Sequence, residues 1–310
     1  MRQWGESATP GLYLVGLSGG GDSTALAWAA AKELPGLGFT VGAVIIDHQL
    51  QSGSANIAED ARETAGALGL SPALVKTVDV IKGSGPEESA RTARYVAFAE
   101  ALKETGARGI LLAHTEDDQA ETVLMGLVRG SGPTSLKGMA TSDSTYHRPL
   151  LGLSRATLRH ALEDRGMSWW EDPHNDDDSF LRVRVRKNVL PVLEKNMGPG
   201  VAQALTRTAE LFRQDSSALD GLAQTVFDHS VTATDVMVSC GVSALESQPE
   251  AIASRVVRMM VVRVGGSVPS YSQMNQVMAL VYSWRGQAAV ALAGASVERS
   301  DGSLVVRSTR

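Results

Sequence analysis

Residues 12–28 read LYLVGLSGGGDSTALAW: an apolar run, three glycines set between serines and an aspartate, then an alanine-rich helical pattern. A buried strand that turns directly into a helix N-terminus leaves few folds open. Three consecutive glycines allow positive φ angles and close approach of a ligand to the backbone. The N–H groups of such a turn, with the free N–H groups of the first helical turn, make a concave anion site. Ser18 and Ser23 add hydroxyl donors. The expected ligand is a phosphate or pyrophosphate. A Walker-type loop ends in Gly-Lys-Ser/Thr, but Asp22 stands where that lysine would be, and the run does not fit Gly-x-Gly-x-x-Gly. An aspartate beside phosphate calls for a cation such as Mg²⁺ between them, which makes Asp22 the candidate metal ligand. The competing reading, a glycine-rich turn without a ligand, is less favoured because the hexapeptide follows a strand at once.

The strand–helix alternation then repeats. Thr40–Asp47 (TVGAVIID), Ala73–Val78 and Gly109–Ala113 (GILLA) read as short apolar strands, and Ser54–Leu68, Pro86–Lys103 and Thr115–Arg129 as the intervening helices. Four such alternations are the signature of an α/β fold, a parallel sheet with helices on both faces. Ligands in such sheets bind beyond the carboxyl ends of the strands, where the candidate residues fall. Gly130–Thr145 reads as a loop, Ser154–Arg165 as a helix, and Leu181–Leu193 as a helix that stops or bends at Pro191. Met197-Gly198-Pro199-Gly200 is the expected boundary between a catalytic domain, 1–196, and a smaller, mainly helical domain, 197–310, ending in a hairpin about Ser300-Asp301-Gly302.

Composition narrows the function. At 43% hydrophobic residues the chain can bury a sizeable core, and neither a membrane-spanning run nor a signal-peptide core is present. Cys240 is the only cysteine, which excludes an internal disulfide and a multi-cysteine metal site. The expectation is a soluble cytoplasmic protein without a membrane partner. Net charge is −5, against non-specific coating of nucleic acid. From Met197 on, acids and arginines balance, so the acidic excess lies in the first 196 residues.

That excess concentrates in Glu116, Asp117, Asp118 and Glu121, directly after the strand GILLA. Thr115 suits an N-cap, and acids suit the first helical turn. Asp117 and Asp118 share a helix face with Glu121. Acids this close repel one another, so a cation is expected, either Mg²⁺ or a positively charged substrate. The plainer reading is a solvated, well-capped helix start; the position at a strand end favours function. Asp47 and His48 end the second strand; a turn cap and a structural histidine are the plain readings, with His48 lining a nucleotide pocket as the functional one. Arg182, Arg184, Arg186 and Lys187 crowd one helix start, where arginines can neutralise charge on a leaving group or grip an RNA backbone. For Trp169 and Trp170, burial in the core is favoured over stacking on a base.

Together these stretches resemble the tRNA(Ile)-lysidine synthetases, a family of N-type ATP pyrophosphatases with a Rossmann-like, adenine nucleotide alpha hydrolase type sheet. The matching segments are SGGGDS (18–23), DHQL (47–50), AHTEDDQAET (113–122), RGSGPTSLKGM (129–139), RPLL (148–151), and WEDPHN with the arginine helix (170–191). The loop alone identifies the superfamily; the acidic stretch and WEDPHN make the match specific. The resemblance implies that ATP adenylates the C2 oxygen of the wobble cytidine of tRNA(Ile) with a CAU anticodon. L-lysine then displaces AMP to form lysidine. It implies that Ser18, Gly19, Gly20, Gly21, Asp22 and Ser23 hold the pyrophosphate end of ATP, with His48 in the nucleotide pocket and Mg²⁺ on Asp22. It further implies that Asp117, Asp118 and Glu121 take the lysine ammonium, that Arg182 and Arg186 stabilise charge near the adenylated base, and that the catalytic set is Asp22, Asp118, Arg182 and Arg186. The C-terminal domain would contact tRNA, and a homodimer is compatible with the family. Two rivals remain: tRNA thiolation, which needs more cysteines than one, and a nucleotide-binding protein without catalysis, which needs neither acidic nor arginine helix.

Overall fold

The computed structural model describes residues 1–49, 53–79, 86–130, 132–234 and 236–309. Leu50 and Ser131, each part of a motif quoted above, lie outside them. The chain divides into two compact units, Met1–Ala209 and Glu210–Arg310.

The first unit is built on five parallel strands, β1 (Leu12–Gly16), β2 (Thr40–Asp47), β3 (Ala73–Thr77), β4 (Gly109–Leu111) and β5 (Tyr146–His147), in the order β3-β2-β1-β4-β5. Period-two alternation decides which residue faces which layer. Tyr13, Val15, Val41, Ala43, Ile45 and Leu111 point to one face, where they meet α2 (Gly21–Glu33), α3 (Ser54–Ala67) and α7 (Arg155–Glu163). Trp4 of α1 (Arg2–Ser7) packs against the same cluster. Leu14, Val44 and Ile110 point to the other face and meet Phe98 and Ala101 of α4 (Pro86–Thr105). β5 escapes the sequence reading because two residues, in a Ser- and Thr-rich stretch, carry no period; its pairing with Ile110 and Leu111 makes it a strand.

β1 lies centrally, with β2 on one side and β4 on the other, so the sheet reverses its winding between β1 and β4. Loops after two strands diverge there and leave a crevice. α5 (Glu116–Val128) starts at its rim, followed by α6 (Pro133–Leu136). α8 (Leu181–Arg184) runs through a π turn, Val185–Val189, into α9 (Leu190–Met197). Pro191 lacks the N–H that a continuing α-helix would use, and the wider turn before it accommodates the loss without ending the helix. Val185 and Leu190 pack on Ala120 of α5.

α10 (Val201–Ser230) belongs partly to each unit. The second unit holds a five-stranded antiparallel sheet, β6 (Val231–Ala233), β7 (Met237–Gly241), β8 (Val290–Leu292), β9 (Ala295–Ser300) and β10 (Ser303–Ser308), in the order β6-β7-β10-β9-β8. The expected hairpin is β9–β10; its turn places Asp301 and Gly302 at φ 48° and 75°. Sequence patterning missed β6 and β7, so this unit holds more sheet than expected. Its core joins Val238, Cys240, Val297, Leu304 and Val306 of the sheet to Val257, Met260, Val277 and Val281 from α12 (Glu250–Arg263) and α13 (Tyr271–Tyr282). α11 (Val242–Glu246) adds Leu245. Among the described residues no helix is long and apolar enough to cross a membrane.

Candidate active site

The glycine loop connects the end of β1 to α2. Only Gly19 needs the freedom its type provides, at φ 81°, while Gly20 is extended at −73° and caps α2. The positive φ that three consecutive glycines allow is used at one residue. The two serines brace the turn. Ser23 Oγ donates to Gly20 O (2.9 Å) and accepts from Ser18 N (3.1 Å), and the two hydroxyl oxygens lie 3.1 Å apart. From the far side, Trp170 N donates to Gly19 O at 3.0 Å. Trp169 packs partly on the core as expected, but Trp170 lines the cleft beside the loop.

Across the crevice, α5 opens with a reciprocal cap. Thr115 N and Oγ1 donate to Asp118 Oδ2 at 2.9 and 2.8 Å, and Asp118 N returns a bond to Thr115 Oγ1 at 3.3 Å. This fixes the Asp118 carboxylate and leaves Oδ1 facing the cleft. Glu116 N bonds Leu153 O (2.9 Å) and Asp117 Oδ2 accepts from Arg155 N (2.7 Å), so α5 and α7 begin side by side.

The repulsion among these acids is offset within the chain. Arg186 makes a forked contact with Glu121 (Nε–Oε1 2.7 Å, Nη2–Oε2 3.2 Å), and Glu121 is fully buried. Arg182 Nη2 donates to Thr122 Oγ1 (2.8 Å), and its Nε stands 2.9 Å from Glu121 Oε2, out of hydrogen-bond alignment. Arg182 and Arg186 are one helical turn apart and meet α5, as does the buried Val185. Arg155, which sequence reasoning missed, completes the set. Its Nε donates to Asp22 Oδ2 and its Nη2 to Asp118 Oδ1, both at 3.1 Å, and Nη2 lies 3.8 Å from Glu121 Oε1. Leu158 and Leu162, one turn and two turns further on, seat α7 in the core beside α2. The acids' demand for cations was visible in the sequence; the donor, 133 positions from Asp22, was not.

Three carboxylates, Asp22, Asp118 and Glu121, thus meet three guanidinium groups. Burial pushes the Asp22 carboxyl up, only partly countered by Arg155. Burial also acts to raise Asp118, but Arg155, Arg182 and the Thr115 bond outweigh it and hold the carboxyl below its ordinary value. His114, between β4 and α5, is pushed down to about 4 by burial, so its ring is neutral at physiological pH. His48 is shifted down by burial and by Arg94. Asp47 caps its turn through Gln49 N (3.0 Å), as the plain sequence reading has it.

Two adjoining cavities open here. One, about 230 Å³, is mainly apolar, lined by Val44, Ile46, Phe98 and Leu112 with His48 at its edge. The other, about 930 Å³, is polar and runs past Asp118, Arg155, Arg182 and Arg186. Ser18, Asp22, Ser23, Arg94 and His114 line both. A flat apolar ring fits the first, with phosphates at the glycine loop and a polar second reactant in the other. Of the residues expected at the site, Ser18, Gly20, Gly21, Asp22, Ser23, Asp118, Arg182 and Arg186 line the larger cavity, and His48 only the smaller. Asp117 and Glu121 line neither and sit behind, bonded to Arg155 N and to the arginines. Asp22 Oδ1 is buried without a hydrogen-bond partner, an orphan that suits a cation. Among the described residues no three His, Cys, Asp or Glu side chains converge as a metal cage. A Mg²⁺ held by one carboxylate plus phosphate oxygens and water fits this donor set.

Comparison with known proteins agrees with this layout. Residues 2–193 match the family described as the PP-loop domain, and residues 242–305 the TilS substrate binding domain. A tRNA(Ile)-lysidine synthase of Leifsonia xyli is 51% identical, over 94% of this chain and 89% of its own length. Those of Rhodococcus erythropolis and Streptomyces coelicolor are 45% and 43% identical, each over 96% of this chain and 89% and 86% of their own. Among solved structures, the U34-tRNA thiolase NcsA of Methanococcus maripaludis, with its [4Fe-4S] cluster, superposes with a TM-score of 0.56 at 17% identity, over 65% of this chain and 72% of that one; the likeness is of fold alone. The chain belongs to the PP-loop family of tRNA(Ile)-lysidine synthases.

Proposed function

We propose that this protein uses ATP to convert the wobble cytidine of a CAU-anticodon tRNA(Ile) to lysidine. The observation that carries the reading is the meeting, in one crevice, of a phosphate-shaped glycine loop with a second polar cavity bounded by acids and arginines. In the first half-reaction the C2 oxygen of cytidine attacks the α-phosphorus of ATP and pyrophosphate leaves. The N–H groups at Gly19–Ser23 and the Ser18 and Ser23 hydroxyls cradle the departing phosphates. Bound at Asp22, Mg²⁺ would neutralise phosphate charge. In the second, the ε-amine of L-lysine attacks C2, the C2–O bond breaks, AMP leaves with that oxygen, and the amine sheds a proton.

Each site residue has a role in this reading. Asp118, held ionised, with Asp117 and Glu121 behind it, receives the lysine ammonium. Arg182 and Arg186, aimed at the same cavity, spread the charge that builds up at the adenylated base. His48 borders the adenine end. The second unit, which carries the matched residues 242–305, supplies the RNA grip. Thiolation is not favoured, because Cys240 is buried in the core of the second unit and cannot serve as a sulfur carrier at the loop.

The test is incubation with ATP, Mg²⁺, radiolabelled lysine and CAU-anticodon tRNA(Ile). Label in the RNA, with AMP released one for one, is the expected result. AMP release without label in RNA would defeat the lysine assignment, and ATP binding without AMP release would leave only a nucleotide sensor.

A further inference from the structure

Arg155 touches both halves of the site. Its guanidinium contacts Asp22 at the phosphate loop and Asp118 at the acidic helix, and it approaches Glu121. The two sides depend on it unequally. Glu121 and Asp118 also have Arg186, and Glu121 has Arg182. Asp22 has no other ion-pair partner among the described residues, and its Oδ1 has no hydrogen bond. The anchor of Arg155 is its backbone: Arg155 N is bonded to Asp117, Ser154 caps the helix, and Leu158 and Leu162 are buried. The side chain meanwhile lines the 930 Å³ cavity, with room to swing while the helix stays in place.

We infer that Arg155 is a positioning residue that stands in for both cations of the reaction, covering Asp22 against a divalent metal and Asp118 against an ammonium until one of them arrives. The lysine half rests on the proposed function; the Asp22 half does not. A cation at Asp22 removes one partner of the guanidinium and repels it, and an ammonium at Asp118 does the same from the other side. The first cation to bind meets the cost of displacing Arg155, and the second finds the place clear. Metal-nucleotide and lysine therefore bind cooperatively, with equal effect in both directions, as linkage requires.

The experiment compares the wild-type protein with Arg155→Gln and Arg155→Lys. Free Mn²⁺ without nucleotide is followed by electron paramagnetic resonance, and lysine binding by calorimetry with and without a non-hydrolysable ATP analogue and Mg²⁺. Arg155→Gln is expected to bind Mn²⁺ about tenfold more tightly than wild type, in the usual range of coupling between sites. The nucleotide analogue should tighten lysine binding about tenfold in wild type and less than about twofold in Arg155→Gln. Arg155→Lys keeps the charge but not the fork, and should fall between. If Arg155→Gln does not fold, Arg155→Lys decides: wild-type Mn²⁺ affinity and wild-type coupling overturn the inference. Unchanged Mn²⁺ binding and unchanged coupling in Arg155→Gln overturn it equally. Should neither protein bind lysine under any condition, the proposed function fails and the lysine half with it, while the Mn²⁺ titration still decides the Asp22 half.

Discussion

Glu121 has no solvent exposure and holds two arginines. Glu121→Gln keeps its shape but takes the buried counter-charge from Arg182 and leaves Arg186 only Asp118, 3.5 Å away. Removing one partner of a buried ion pair costs about 3–5 kcal/mol, and the partial exposure of both arginines puts the expectation near 3 kcal/mol, read from urea unfolding. An unchanged midpoint would mean that the arginines find other partners. His114 sets a pH dependence. Its folded value of about 4 lies below the ordinary 6.5, so between these values the unfolded chain holds a proton that the folded chain lacks. Stability from this residue is complete above pH 6.5 and is lost as pH falls toward 4, with a slope of about 1.4 kcal/mol per pH unit at most. Asp22, pushed upward, acts in the opposite sense above its ordinary 3.8, and His48, shifted down, acts in the same sense as His114, so the comparison must be made against His114→Gln, which should lessen the slope between pH 4.5 and 6.5. At this scale the sequence was half legible. The acids, the glycine loop and the arginines of the later helix announce themselves by local crowding. Arg155 does not, because its meaning comes from the packing of α7 beside α2 and not from any neighbour in the chain.

Among the elements, the stretch after α5 shows how a polar segment is held. Gln119, almost fully buried, donates from Nε2 to Met139 O (2.9 Å) and accepts from Met139 N (2.8 Å), a side chain mimicking a strand partner. Gly138 sits at φ 55°, where an added Cβ would lie 2.5 Å from the Gln119 oxygen. Arg148 Nη1 closes the next turn on Ala140 O at 2.9 Å. Gln119→Leu removes both bonds at once. The expected cost is about 2 kcal/mol, about 1 kcal/mol for each lost bond, with faster proteolysis between residues 132 and 145. Equal protease sensitivity in variant and wild type would show that the segment is fixed by other contacts. Nothing in Gly130–Thr145 as sequence points to this clamp, since hydrogen bonds from one glutamine to a distant backbone leave no periodic trace. The four long alternations did leave one, because β1, β2 and β4 are buried on two faces as continuous apolar runs and the helices between them on one. β5 and β6–β7 did not: the first is too short for a period, and the others sit in a mixed polar stretch whose pairing partner, β10, comes some sixty residues later.

For the whole molecule, the hydrophobic residues fall into separate clusters that follow the two units, with Ala223 through Val306 in one and Tyr13 through Leu162 in another. Units with their own cores need not unfold together. The tryptophans allow a direct test, because Trp4, Trp28, Trp169 and Trp170 are in the first unit and Trp284 is in the second. In urea, wild-type fluorescence and far-ultraviolet circular dichroism should give non-coincident transitions, and Trp284→Phe should leave a single fluorescence transition. Coincident curves in both proteins would mean that the units melt as one. The pairing of charges at the crevice has a consequence in time as well as in space. Asp22, Asp118 and Glu121 are all synthesised before Arg155, Arg182 and Arg186. A chain leaving the ribosome thus carries the acids of its future crevice before any guanidinium that will touch them exists. The sheet can form early, whereas the start of the acidic helix stays under mutual repulsion until about residue 186 has emerged. The crevice therefore closes after the sheet during translation, so a nascent chain arrested short of that point would hold the sheet without the site.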